Sequence, residues 1–305
     1  MPSRPMLVVL LALATPALAA PASTAPVADP PLQPETDVLL DGGGHRLDEL
    51  AYTGRFMFGK MRDMRPRHWL VLGSILAGSA VLASHKNEIQ DEVREDSSAA
   101  RDAGLGPFKV LGNRGIVPAI GASAWLLGSM LDKPAAADGG FVILESFAIT
   151  GLASELGKYV LSEERPRDGG ELSFFSGKGH GISGHAAVAA SMAGPIDQLY
   201  LGIEPDDSRA VRGWKRVGKV FAYGLPVLTG LSRVEDDQHY AWNVGLGLAL
   251  GYSIGHMVGS AHREYVETAG AGRAESKPRS PLRPSGVGPL FSPDGDPGLI
   301  VSWQF

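Results

Sequence analysis

The chain has 305 residues, 44% of them hydrophobic, a formal net charge of −5 and no cysteine. That length supports a sizeable core in one or two domains. The negative balance offers no basic field for nucleic acid, and the lack of cysteine excludes disulfides, thiolate catalysis and zinc–cysteine sites.

Arg4 supplies a positive start, residues 7–14 (LVVLLALA) an apolar stretch too short to span a bilayer, and Ala17-Leu18-Ala19 a small-x-small cleavage signal. Together they predict a secretory signal peptide over 1–19, so that the chain leaves the cytoplasm. An uncleaved anchor fits the same residues. Residues 20–44, rich in Pro, Ala and Thr, predict a flexible leader. From Arg46 to Met64, Leu47, Leu50, Phe56, Phe58 and Met61 give a helical pattern.

Apolar segments follow at 69–84, 115–131, 141–161, 184–200, 217–231 and 241–260, all rich in Ala, Gly, Leu and Val. Their small residues permit close helix approach. The expected fold is all-α: a bundle of about six main helices within a domain at 45–267. A Gly/Pro/Ser-rich linker is expected over 268–288. A small hairpin tail is expected over 289–305, with its turn at 293–298 and its longer strand at 299–305.

The first two apolar segments are borderline for spanning a bilayer. The third carries Glu145 and Glu155, the fourth His185 and Asp197, and the fifth ends quickly at Arg233. If all six crossed after an exported N-terminus, the polar connections following the third and fifth would return to the cytoplasm. The expectation is therefore a mostly soluble periplasmic bundle that touches the membrane through one or two helices. The mean hydropathy of +0.01 agrees.

Three short segments share cations, histidines and small hydroxyl or glycine residues. In the first, Lys158 and Arg165 stand seven positions apart, followed by Pro166. On a helix they would lie two turns apart, with Pro166 ending the helix, and both could grip a phosphate. An ordinary solvated helix end has the same composition. In the second, Ser183-Gly184-His185 precedes an Ala-rich run. Ser183 fits an N-cap, the amides of a helix start bind anions, and His185 falls in the first turn. A capped helix with an incidental His fits equally. The third runs from Ser232-Arg233 to His239 and Asn243. Asn243, four residues after His239, can reach one imidazole nitrogen and leave the other free to attack. A polar interhelical loop is the alternative. Taken together, two histidines, three cations and a helix N-terminus are the parts that phosphoryl transfer needs.

In this order and spacing, K-x6-R-P, S-G-H and S-R-x5-H resemble the type 2 phosphatidic acid phosphatase superfamily. That superfamily includes bacterial class A acid phosphatases and vanadium haloperoxidases. The resemblance covers about residues 140–260 and implies an all-α bundle. It also implies roles: His239 attacks phosphorus and forms a phosphohistidine, and His185 protonates the leaving oxygen and then activates water. Lys158, Arg165 and Arg233 bind the phosphoryl oxygens with the Ser183 hydroxyl and the Gly184 amide, and no metal or other cofactor is needed. The implied activity is hydrolysis of phosphomonoesters or lipid (pyro)phosphates; membrane contact is expected from the apolar segments, and no nucleic-acid partner from the negative charge balance. Two residues depart from the pattern: Ile182 stands where the family has Pro, and Asn243 where it has Asp. An Asn in the orienting position weakens the nucleophile, so restoring Asp at 243 is expected to raise kcat, unless Glu235, Asp236 or Asp237 supplies the charge. A weakened phosphate- or lipid-binding protein and a vanadate-dependent haloperoxidase remain the rival readings.

Overall fold

The computed structural model describes residues 44–95, 104–113, 115–177, 179–275, 283–291 and 297–304. The expected signal peptide, the leader up to 43, linker residues 276–282 and hairpin-turn residues 292–296 lie outside the described residues. In chain order come α1 (Gly44–Arg62), α2 (Pro66–Ser84), α3 (Lys86–Glu95), a 3-10 turn (Gly106–Lys109), α4 (Ile116–Met130) and α5 (Pro134–Val160). Next are β1 (Leu161–Glu163), a second 3-10 turn (Pro166–Asp168), β2 (Leu172–Phe174), α6 (Gly184–Ser191) and α7 (Ala193–Tyr200). The chain continues with α8 (Arg209–Glu235), α9 (Ala241–Glu275), β3 (Arg283–Phe291) and β4 (Pro297–Gln304).

The all-α class with a small C-terminal hairpin is what the sequence predicts. β3 and β4 pair antiparallel, with Val287 opposite Val301. A second, three-residue ribbon was not expected: β1 and β2 pair antiparallel with Ser162 opposite Ser173. The helix α3 was also not anticipated. Local chemistry sets several boundaries. Pro66 and Pro134 open α2 and α5, where a missing N–H costs nothing. The hydroxyls of Ser183 and Ser208 cap α6 and α8 by accepting from the amides of Ala186 and Val211.

The segment 184–200, read as one helix, divides at Met192 into α6 and α7. Pro195 has no N–H for the Ser191 carbonyl, which accepts instead from the Ser146 hydroxyl of α5 at 2.8 Å. α6 is the centre of the bundle. Ala186, Ala187, Ala189 and Ala190 are buried, and α9, α8 and α5 pack around them. α9 comes close because Gly247, Gly251 and Gly255 face α6: any Cβ there would overlap the Ser183, Ala187 or Ser191 carbonyl. Val244, Leu248 and Tyr252 of α9 then close on Val227, Val234 and Tyr223 of α8. Each such large side chain contributes about 1.5–3 kcal/mol on full burial. α1 is fastened from outside by Arg46 to Asp138 (2.5 Å) and by Glu49 to His262 (2.5 Å).

Among the described residues, three helices are long and apolar enough to cross a membrane: α2, α5 and the 241–269 part of α9. They differ in burial. Only 11% of the α2 stretch is inside the protein, against 61% of α9. The apolarity of α9 therefore serves the core, whereas α2 exposes Trp69, Leu70, Leu76 and Val81. α4 adds exposed Ile120, Leu126, Leu127 and Met130. Exposed apolar surface on this scale supports association with a membrane.

Candidate active site

All three motifs meet at one pocket of about 240 Å³. Its walls include Lys158, Arg165, Gly184, His185, Arg233 and His239, together with Glu155, Tyr159, Gly177, Gly179 and His180. Scattered cations and histidines from three chain segments thus converge on a volume that fits a phosphoryl group.

The first motif reaches the pocket differently from the sequence expectation. Lys158 and Arg165 do not share a helix. α5 ends at Val160, β1 follows, and Arg165 is extended at φ −68°, ψ 154°. Pro166 opens a 3-10 turn and holds the residue before it out of helical geometry. The pairing of β1 with β2 then carries Arg165 back toward Lys158. Lys158 lies against the start of α6: a Cβ on Gly184 would stand 3.1 Å from its ammonium. The same ammonium is 2.7 Å from Glu155.

The third motif is a tight reversal after α8. The amides of Gln238 and His239 both donate to the Arg233 carbonyl, at 3.0 and 3.3 Å. This wraps His239 back beside Arg233. Asp237 makes the turn at φ +52°, in the left-handed region that Asp tolerates better than most residues. Gln90 and Arg94 of α3 hold its carboxylate at 2.7 and 3.0 Å. Asp236 pairs with Lys109 at 2.6 Å and Arg233 at 3.4 Å. Neither aspartate is engaged with His239.

The electrostatics are those of a cation-lined recess. Among the described residues, Nε of Arg165, Nε of Arg233 and Nδ1 of His239 are buried without a hydrogen-bond partner. The two buried guanidinium N–H groups would ordinarily find an acceptor, and an oxyanion is the acceptor that suits them. Burial lowers the pKa of Arg233 from its ordinary value, Asp236 opposes the shift, and Arg165 and Arg167 add to it. Burial, reinforced by Arg233, His180, His185 and Lys158, pushes His239 down to about 3. Its imidazole is therefore neutral at physiological pH, the form in which a ring nitrogen can attack.

Two expected site residues serve the pocket from behind. Ser183 is fully buried, outside the pocket lining, and its hydroxyl caps α6 at 3.4 Å from the Ala186 amide. Asn243 does not make the expected hydrogen bond to His239. Its Oδ1 accepts from the Tyr240 amide at 3.0 Å, and its Nδ2 donates to the Gly181 carbonyl at 2.7 Å and to Glu163 Oε2 at 2.8 Å. The Ser183 amide donates in turn to the Asn243 carbonyl at 3.1 Å. Asn243 thus ties the His239 turn, the S-G-H loop and β1 together. An aspartate here could accept from Tyr240 but could not donate to a carbonyl and a carboxylate. The Asn is suited to this position because Glu163, held by Lys86 at 2.7 Å, already brings the carboxylate. Burial raises the pKa of Glu163, opposed by hydrogen bonds from Lys86 and Asn243.

Sequence reasoning missed His180, Glu155 and Tyr159 in the lining and Glu163 and Lys86 behind it. His180 was visible as the His of G-H-G just ahead of S-G-H. Glu163 had no such signal, because its role depends on a contact eighty residues away.

The model of the PAP2 superfamily matches residues 139–265, a stretch that contains every motif of the pocket. No curated protein and no solved structure matches the chain.

Proposed function

We propose that the chain, a PAP2-superfamily member over residues 139–265, is a metal-independent phosphatase working through a phosphohistidine. The superfamily match supports phosphatase-type chemistry on a phosphorylated substrate. The observation that carries the mechanism is that Arg165, Arg233 and His239, which line one pocket, each keep a buried nitrogen with no hydrogen-bond partner among the described residues. In this reading Lys158, Arg165, Arg233 and the Gly184 amide bind the phosphoryl oxygens. They neutralise charge as it develops, in a site that is already organised. His239 forms a bond to phosphorus while the bond to the leaving oxygen breaks, and His185 gives that oxygen a proton. His185 then takes a proton from water, which attacks phosphorus and releases His239 and phosphate.

Among phosphorylated substrates, a lipid phosphate is favoured by the surface beside the pocket. Leu152, Leu156 and Tyr159 form one exposed stripe on α5, leading to the lining. Tyr159 meets the exposed Phe175 edge-on at 6.2 Å. Phe174 is exposed beside it. An apolar lip would accept acyl or isoprenoid chains while the phosphate enters the cationic recess. We place the active domain outside the cytoplasm, on the signal-peptide pattern of residues 1–19, with α2 and α4 facing the membrane.

Turnover of p-nitrophenyl phosphate in the presence of a chelator, inhibited by orthovanadate, tests the chemistry. Turnover of a micellar lipid phosphate tests the substrate class. A protein that binds orthovanadate but releases no phosphate from either substrate would be the weakened binding protein instead. Bromide oxidation by peroxide in the presence of vanadate would reveal the haloperoxidase.

A further inference from the structure

His180 lies in the pocket, yet no motif assigns it a role. Its position is fixed by the backbone on either side. Its amide donates to the Glu163 carbonyl at 2.6 Å. The flanking residues Gly179 and Gly181 press against β1 so closely that a Cβ on either would overlap the backbone of Ser162 or Leu161. In this Gly-His-Gly run only the middle residue has room for a side chain, and that side chain lines the pocket. The ring stands edge-on to His239, with centroids 6.4 Å apart and planes at 82°. With hydrogen bonds of ~2.7–3.2 Å on each side, one phosphoryl group can touch both rings.

We infer that His180 is a further catalytic residue of this pocket, a third imidazole that hydrogen-bonds the phosphoryl group held at His239. The inference rests on the phosphatase reading and adds to it a contact outside the three motifs. Burial, then Arg165 and Lys158, lower the pKa of His180, so it adds a directed donor to an already cationic site without adding charge. Its place is built by backbone bonds and glycines, not by its own ring. Removing the ring therefore leaves the loop standing.

The test uses the full chain and two readouts: p-nitrophenyl phosphate turnover, and orthovanadate affinity by titration calorimetry. One hydrogen bond to a charged group corresponds to roughly 10- to 100-fold. His180→Ala is expected to lower kcat/KM and weaken orthovanadate binding by such a factor, with an unchanged melting temperature. His180→Asn, which keeps a donor, is expected to recover part of both. Changes within twofold in both readouts for His180→Ala would overturn the inference. A wild-type chain that binds orthovanadate without turnover would sink the phosphatase reading alone, and the affinity ratio would still decide the contact. A wild-type chain that binds no orthovanadate would overturn both.

Discussion

The front of the pocket and the layer directly behind it are built on opposite rules. In front, Arg165, Arg233 and His239 keep buried nitrogens with no partner among the described residues. Behind, Asn243 has its amide oxygen and nitrogen engaged, and Glu163 takes Lys86 and Asn243 at once. A buried donor left unpaired destabilises the fold, and a buried network that is satisfied makes it rigid. The pocket thus concentrates its cost at the surface that meets substrate and its rigidity at the surface that does not. Loss of function without loss of stability should therefore mark the front layer, and loss of both the back.

The sharpest break of that contrast is His239→Ala. It is expected to lower p-nitrophenyl phosphate turnover on the order of 10⁴-fold or more while the protein stays folded. His185→Ala, by contrast, should let an acid-labile phosphoprotein accumulate, visible with labelled substrate. Full turnover in the His239 variant would remove the covalent mechanism.

Next in size is Arg165→Ala. Loss of one preorganised cation is expected to lower kcat/KM about 10²-fold. Stability to urea should stay within about 0.5 kcal/mol, since that guanidinium has little holding it in the fold. A large loss of stability with intact turnover would invert the contrast.

The back layer answers differently. Asn243→Asp is expected to destabilise by about 2 kcal/mol, because two donated hydrogen bonds are replaced by acceptor facing acceptor. kcat should fall with stability, contrary to the gain that the sequence pattern predicts. Adding Glu163→Gln should restore part of both losses, as a double-mutant cycle measures. A rise in kcat for the single variant would mean that residue 243 orients His239 after all.

The last test is a pH dependence. His239 has a pKa of about 3 when folded and near its ordinary 6.5 when unfolded. Between those values the unfolded chain binds more protons, so stability falls as pH drops from about 6.5 toward 3 and is unaffected by this group above that window. His239→Asn should show a shallower acid slope in denaturation midpoints. An identical slope would mean that His239 does not titrate far from its ordinary value.

Most of the long helices, the Ser183 cap and the convergence of Lys158, Arg165, His185, Arg233 and His239 on one pocket were legible in the sequence. Each depends on local signals: apolar runs, a hydroxyl before a helix, and recognisable spacings of cation and histidine. Such signals act over a few residues, and a linear reading captures them. Other features depended on contacts between distant segments. Pro195 divides a helix whose free carbonyl is taken by Ser146 of another. Arg165 returns to the pocket through β1–β2 pairing, which no alternation in three-residue strands announces. Asn243 looked like a weakened orienting residue because a neutral amide stands where the family pattern has a carboxylate. Only the fold brings Glu163, already paired with Lys86, against its amide. Whether an amide or a carboxylate suits that position depends on what it faces, and tertiary packing alone decides that.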